Sequence, residues 1–389
     1  MLSLNLIGSM PQAILTIGML LVAISGCTSQ RMELSTYTPS PTSTPKPSTI
    51  SKYVPTKAST ATPIPAEESQ AVNGSPGTPI PASGRDRQAT ATQPASQPFT
   101  IDSTLCNDGQ GPDCTKLRLG DDYLTTSGPA KGYLYSCIGK NPNAPGSIES
   151  KITWIDFAHK TWNFLKKLWL PRGTFSPAAG IYSETTTGEK RQITVNNLPV
   201  DGKIGDWPMT NYVALTEIDP NPGIPTVRNL SFSYFADPSE AISPSCVSLG
   251  AIGVTKNGVV IFNASDARGE DAVAREIVDE FGGHPAMSEY HYHFIPERLD
   301  SEYLEDGHSG IVGYINDGFP IYGYKGMGGI EMSNGDLDLC HGHKHGTSGY
   351  HYHATLEFPY TIGCYMGNEV SSSPGRGAPP RRQPPRNRP

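Results

Sequence analysis

Between residues 101 and 368 the apolar positions fall in short runs separated by turn-forming residues. "YLYSCI", "KITWIDF", "RQITVNNL" and "RNLSFSYFA" mix β-branched and aromatic side chains and are bounded by Gly, Pro, Asn or Asp, which predicts strands. "IGVTKNGVVIF" sets two apolar runs around Asn257-Gly258, a dipeptide that accepts positive φ at both centres of a type I′ hairpin turn. "IVGYINDGFPIYGY" repeats the arrangement around Asn316-Asp317-Gly318. One segment departs from this pattern. "GEDAVAREIVDEF" places Val273, Ile277, Val278 and Phe281 on one stripe of helical period, so an amphipathic helix is expected over about 269–281, stopping at Gly282-Gly283. The expectation is a mainly β, β-sandwich-like single domain with that one helix, stabilised by disulfides and flanked by disordered segments.

The flanks have a different composition. "AILTIGMLLVAISGC" is too short for a comfortable membrane span and ends in small residues, the layout of a secretory signal over residues 1–26. Ile24-Ser25-Gly26-Cys27 resembles the box at which bacterial lipoprotein signals are cut, and the resemblance implies a lipid on Cys27; the run departs from the pattern in having no Lys or Arg before it. Residues 36–100 hold twelve prolines among many Ser and Thr, with no Trp, Cys or His, so 27–100 reads as a disordered stalk. Residues 369–389, rich in Arg and Pro, read as a disordered tail. The domain is then expected outside the cytoplasm, lipid-anchored to the membrane, or secreted if Cys27 is not lipidated.

Cysteine and charge narrow the picture. Apart from Cys27 there are six: Cys106, Cys114, Cys137, Cys246, Cys340 and Cys364. An even number in an oxidising compartment fits three disulfides, with fifteen possible pairings. Cys340–Cys364 is favoured because it closes a loop around one of the motifs below. No Cys-x-x-Cys occurs, which argues against a zinc-thiolate or thioredoxin-like site. The whole chain has a formal net charge of -7, and residues 101–368 carry 19 basic against 32 acidic groups. A nucleic-acid partner is therefore not expected; protein partners are left open.

Nine of the ten histidines, all but His159, lie between His284 and His353. They follow a repeated order: Gly283-His284, then Tyr290-His291-Tyr292-His293; Gly342-His343, then Tyr350-His351-Tyr352-His353. On a strand the tyrosines point one way and the histidines the other, and two residues of rise, about 6.6 Å, let two imidazoles converge on one ion. Each Gly-His adds a third nitrogen, which leaves an open coordination position of the kind catalytic metals use. His284, His291, His293, His343, His351 and His353 are thus candidate metal ligands, with His308, His341 and His345 as weaker candidates. Since only neutral imidazole ligates, binding is expected to fail in mild acid.

At these residues the chain resembles the YHYH domain family, named for the tetrapeptide. The blocks that carry the resemblance include "RQITVNNLPVDGKIGDWP", "LGAIGVTKNGVVIFNASDARGEDAV", "GHPAMSEYHYH" and "LDLCHGHKHGTSGYHYHATLEFPYTIGC", in that order. It implies a secreted or surface-attached β-rich domain and no particular reaction. Phe281-Gly282 stands where the family pattern leads one to expect a cysteine, so no disulfide is expected near the first copy. Two functions follow from the histidines: a surface-tethered protein binding Cu or Zn, or a metal-dependent hydrolase or copper oxidase using the same residues and a carboxylate such as Glu289, Asp306 or Asp317. A weaker alternative is a polysaccharide- or protein-binding module with structural histidines. No carboxylate lies at a motif spacing such as His-Glu-x-x-His, so binding ranks before catalysis.

Overall fold

The computed structural model describes residues 100–371 except Thr347 and Glu369. The expected signal, Cys27, and nearly all of the stalk and tail lie outside the described residues.

Two sheets organise the domain. A three-stranded antiparallel sheet contains β1 (Tyr182–Thr187), β2 (Lys190–Val195) and β3 (Leu230–Phe235). An eight-stranded sheet contains β4 (Ala251–Thr255), β5 (Val260–Phe262), β6 (Gly283–Ala286), β7 (Glu289–Tyr292), β8 (Ile311–Ile315), β9 (Pro320–Tyr322), β10 (Gly342–Lys344) and β11 (Tyr350–His353). Its spatial order is β6-β7-β5-β4-β8-β9-β11-β10. That order is a palindrome of two four-strand halves. β4 and β8 pair antiparallel at the centre, Val254 opposite Tyr314, with Gly253 opposite Ile315 and Thr255 opposite Gly313. Each half contains an antiparallel hairpin with a bulge, then a strand that joins in parallel, β5 with β7 and β9 with β11, and an antiparallel edge strand. The sequence repeat is therefore a structural duplication with a local two-fold relation.

The two faces of the large sheet bury different things. Val254, Val260, Phe262 and Tyr314 pack against Ile193, Val195, Phe232 and Tyr234 of the small sheet, a sandwich confined to the central strands. Ile252, Ile261, Ile315, Ile321 and the four motif tyrosines face a larger core with Trp154, Trp169, Trp207, Phe294 and Phe358. That second core is covered mainly by irregular segments and short 3-10 turns. Disulfides join Cys106–Cys114, Cys137–Cys246 and, as favoured from spacing, Cys340–Cys364.

Two local expectations are corrected. The helix expected over about 269–281 is a single turn, Ala272–Arg275, capped by Asp271 accepting from the Ala274 amide. Glu276 is already extended, with φ -84 and ψ 154. The apolar stripe is buried all the same: Ile277 and Val278 enter the core as the chain runs past Leu170, whose amide bonds Val278 O. Buried tertiary partners thus outweigh helical periodicity here. The hairpin turn is not type I′ either. Gly258 alone takes positive φ, 85, while the Gly258 amide bonds Thr255 O and the Thr255 amide bonds Val259 O. This is the three-residue form, a type I turn closed by a left-handed glycine, and Gly318 (φ 90) repeats it.

Two candidate metal centres

The repeated motif is wider than the tetrapeptide. In the first copy the Asp279 carboxylate accepts from the Gly283 amide and the Tyr290 hydroxyl; in the second, Asp338 accepts from the Gly342 amide and the Tyr350 hydroxyl. A Cβ on Gly283 would fall on the Tyr290 ring, and one on Gly342 on the Tyr350 ring. Glycine precedes the first histidine because the tyrosine phenol needs that space to reach the aspartate. The second tyrosine is held from the hairpin turn: Asn257 Nδ2 donates to the Tyr292 hydroxyl at 3.2 Å, and the Tyr352 hydroxyl donates to Asp317 Oδ2 at 2.5 Å. The tyrosines are thus buried anchors. Burial raises their pKa values, so their hydroxyls remain neutral.

With the tyrosines fixed on one face, alternation sends the histidines to the other. In the first centre, His291 Nε2 lies 3.0 Å from His293 Nε2, which lies 3.1 Å from His284 Nε2. Phe262 stacks on His291 with ring centroids 3.8 Å apart. In the second centre His343 Nε2 lies 3.0 Å from His351 Nε2 and 3.1 Å from His353 Nε2. Tyr322 replaces Phe262, its centroid 4.2 Å from that of His351. All six primary candidates are therefore brought together, three in each half.

The ring orientations decide what the clusters can hold. His291 Nδ1 faces Glu289 O and His293 Nδ1 faces Asn263 O; in the second half His351 Nδ1 faces Gly349 O, His353 Nδ1 faces Gly323 O, and His308 Nδ1 faces Ser309 O. A carbonyl only accepts, so each Nδ1 carries the proton and each Nε2 of the neutral ring presents a lone pair. Burial keeps the rings neutral. It pushes His293 down to about 4 and His351 to about 3, and holds His284 and His353 well below 6.5. Unprotonated nitrogens facing one another near 3 Å repel unless a cation lies between them. The donor set therefore fits a metal ion.

The halves differ in their fourth group. His308 completes the second centre: its Nε2 lies 3.2 Å from that of His353, 3.3 Å from His351 and 3.5 Å from His343. A tetrahedron built on metal–nitrogen bonds of about 2.0 to 2.1 Å has edges of about 3.3 to 3.4 Å. These four nitrogens approach that figure. In the first centre the nearest carboxylate is Glu276, whose Oε2 is 3.4 Å from His284 Nε2 and 3.7 Å from His293 Nε2. Glu276 does not join the three nitrogens as a group mutually within 4.8 Å, whereas His308 does join its three.

The other candidates take separate places. His341 is buried with Nε2 3.0 Å from Thr355 Oγ1, outside the second centre. His345 pairs with Asp306 at 2.5 Å and stacks on His308, centroids 4.7 Å apart. The three histidines of "CHGHKH" therefore do not share one edge; only His343 joins the centre. Asp317 lies beneath the tyrosines, and Glu289 is 3.7 Å from Arg228. Sequence reasoning missed Glu276 and undervalued His308, the first hidden inside an expected helix and the second standing outside the repeat. A signal for His308 was present in "DGHSG" three residues before β8, a turn poised at the start of a buried strand.

No helix among the described residues is long and apolar enough to cross a membrane. No curated protein and no solved structure matches the chain. Residues 231–332, from β3 through the first Tyr-His-Tyr-His to the segment after β9, match the family model described as YHYH protein, and this part of the chain is a YHYH domain.

Proposed function

We propose that this domain binds transition metal, one ion in each half of the duplicated sheet, and that it does so outside the cytoplasm, tethered by a lipid on Cys27 through the Pro/Thr-rich stalk. The observation that carries the reading is the commitment of Nδ1 to backbone carbonyls on His308, His351 and His353, which turns their Nε2 lone pairs toward one another, His308 Nε2 lying 3.2 Å from that of His353 and 3.3 Å from that of His351. Three disulfides support an oxidising location. Imidazole suits both Zn and Cu; near-tetrahedral nitrogen spacing favours Zn over Cu(II) in the second centre, because Cu(II) prefers tetragonal geometry.

A metal-dependent enzyme is the second reading, favoured by one observation: Glu276 sits beside the first centre without completing it. Elemental analysis of the full chain purified from its native compartment tests the main reading. Zn or Cu at one to two equivalents per chain supports it. Metal-free protein that takes up neither ion at neutral pH overturns it, and so does a Cys27 found unmodified in the case of the lipid anchor.

A further inference from the structure

The first centre opens on a cavity of about 450 Å³, whose lining includes His284, His291, His293 and Glu276. The rest of the wall is of mixed character. Pro220, Pro222, Leu249, Phe262 and Met287 supply apolar surface, and Asp219 and Asp266 supply carboxyls. Among the described residues no Lys or Arg lines it, so apart from the metal centre the wall adds no cationic side chain to favour an anion. A volume of this size is in the range of small-molecule pockets, which combine apolar walls with a few polar groups.

The second centre presents the opposite case. His308 stands 3.2 to 3.5 Å from each of the other three nitrogens, and His345 is stacked on its outer side. Four imidazoles fill a tetrahedral ion; three leave one position vacant. The duplication equates Ala251 with Ile311 at the start of the central strands, so the place of His308 in the second half belongs to Ser248 in the first. The first half has no fourth imidazole to offer.

From this we infer that the ion in the first centre keeps a coordination position for an exogenous, uncharged small molecule with a nitrogen or oxygen donor, admitted through the cavity, while the second centre is saturated by protein. The inference rests on the proposed metal binding. Glu276, with Oε2 3.4 Å from His284 Nε2 and 3.7 Å from His293 Nε2, lines the same cavity at the edge of the cluster, where it can hydrogen-bond a ligand that enters.

The test uses the full chain loaded with Co(II), whose visible spectrum reports coordination. His351→Ala/His353→Ala leaves the first centre, and His284→Ala/His291→Ala leaves the second. Each protein is titrated with imidazole and, separately, with inorganic phosphate. Imidazole at millimolar concentration should shift the spectrum of the first centre and leave the second unchanged, and phosphate should shift neither. In wild type only about half of the absorbance should respond, which checks the result in a protein free of folding defects. A first centre indifferent to imidazole overturns the inference, as does one that responds only after Glu276→Gln, since Glu276 would then occupy the position. An equal response from both centres also overturns it, and a phosphate response overturns the uncharged class. Failure of the metal reading is distinct: no Co(II) spectrum develops in wild type at all.

Discussion

The two halves of the eight-stranded sheet are built alike up to the third imidazole and differ at the fourth group. Hairpin, glycine turn, parallel strand, aspartate-anchored tyrosine and paired histidines recur at equivalent positions. The fourth group comes from outside the repeat: His308 from the chain leading into β8, Glu276 from the end of a single helical turn. What the duplication conserves is the scaffold that aims three lone pairs at a point. What each half adds decides whether the centre is closed or open.

The largest effect should come from removing two ligands in one half. His351→Ala/His353→Ala should weaken metal binding in the second centre by more than about 100-fold, since even outer partners of metal-bound histidines are worth about 10- to 100-fold. The first centre should keep its ion, and isothermal titration calorimetry should fall from two sites to one. Loss of both ions would break the picture of independent halves.

The fourth groups should be unequal. His308→Ala should weaken the second centre by about 10- to 100-fold, while Glu276→Gln should change the first by less than about 10-fold. Competition with a chromophoric chelator measures both, and equal effects would erase the distinction between closed and open.

The scaffold should respond alike in both halves. Gly283→Ala and Gly342→Ala place a methyl against a buried tyrosine ring, and overpacking of this kind costs about 1 to 3 kcal/mol. Urea unfolding of the two apo variants should give similar losses; a large difference would mean that the halves are anchored differently.

Acid should act through the buried rings. The folded values of His293 and His351, about 4 and about 3, lie below the unfolded value near 6.5, so the folded apo domain binds fewer protons in between. Their stability contribution is fully present above pH 6.5 and is lost as pH falls through that window, by up to about 1.4 kcal/mol per pH unit for each ring. Metal release should begin nearer pH 4 than pH 6.5, lower than the sequence alone suggested. Apo stability that stays flat from pH 7 to 4 would contradict the burial argument.

Much of the geometry of the first three imidazoles in each half was legible in the sequence, because strand alternation is a backbone property: Tyr-His-Tyr-His can only separate its rings by face. The turn glycines were legible for the same reason, although not the turn type, since a type I turn with a left-handed glycine and a type I′ turn both accept Asn-Gly. The helix over 269–281 was overestimated because Val273, Ile277 and Val278 have a helical period but find their buried partners in extended backbone after Glu276. His308 was legible only as a weaker candidate, not as a member of the second cluster. Its partners His351 and His353 are more than forty residues away, and no local period records which loop arrives at a sheet face.

Anomalous diffraction from crystals grown with Zn or Cu at neutral pH bears most directly on the central claim, that one duplicated scaffold holds two metal centres. The account predicts two peaks at the metal edge, one about 2.0 to 2.1 Å from Nε2 of His284, His291 and His293, the other at the same distance from Nε2 of His308, His343, His351 and His353. The absence of density at both points, or metal bound only elsewhere, would contradict it.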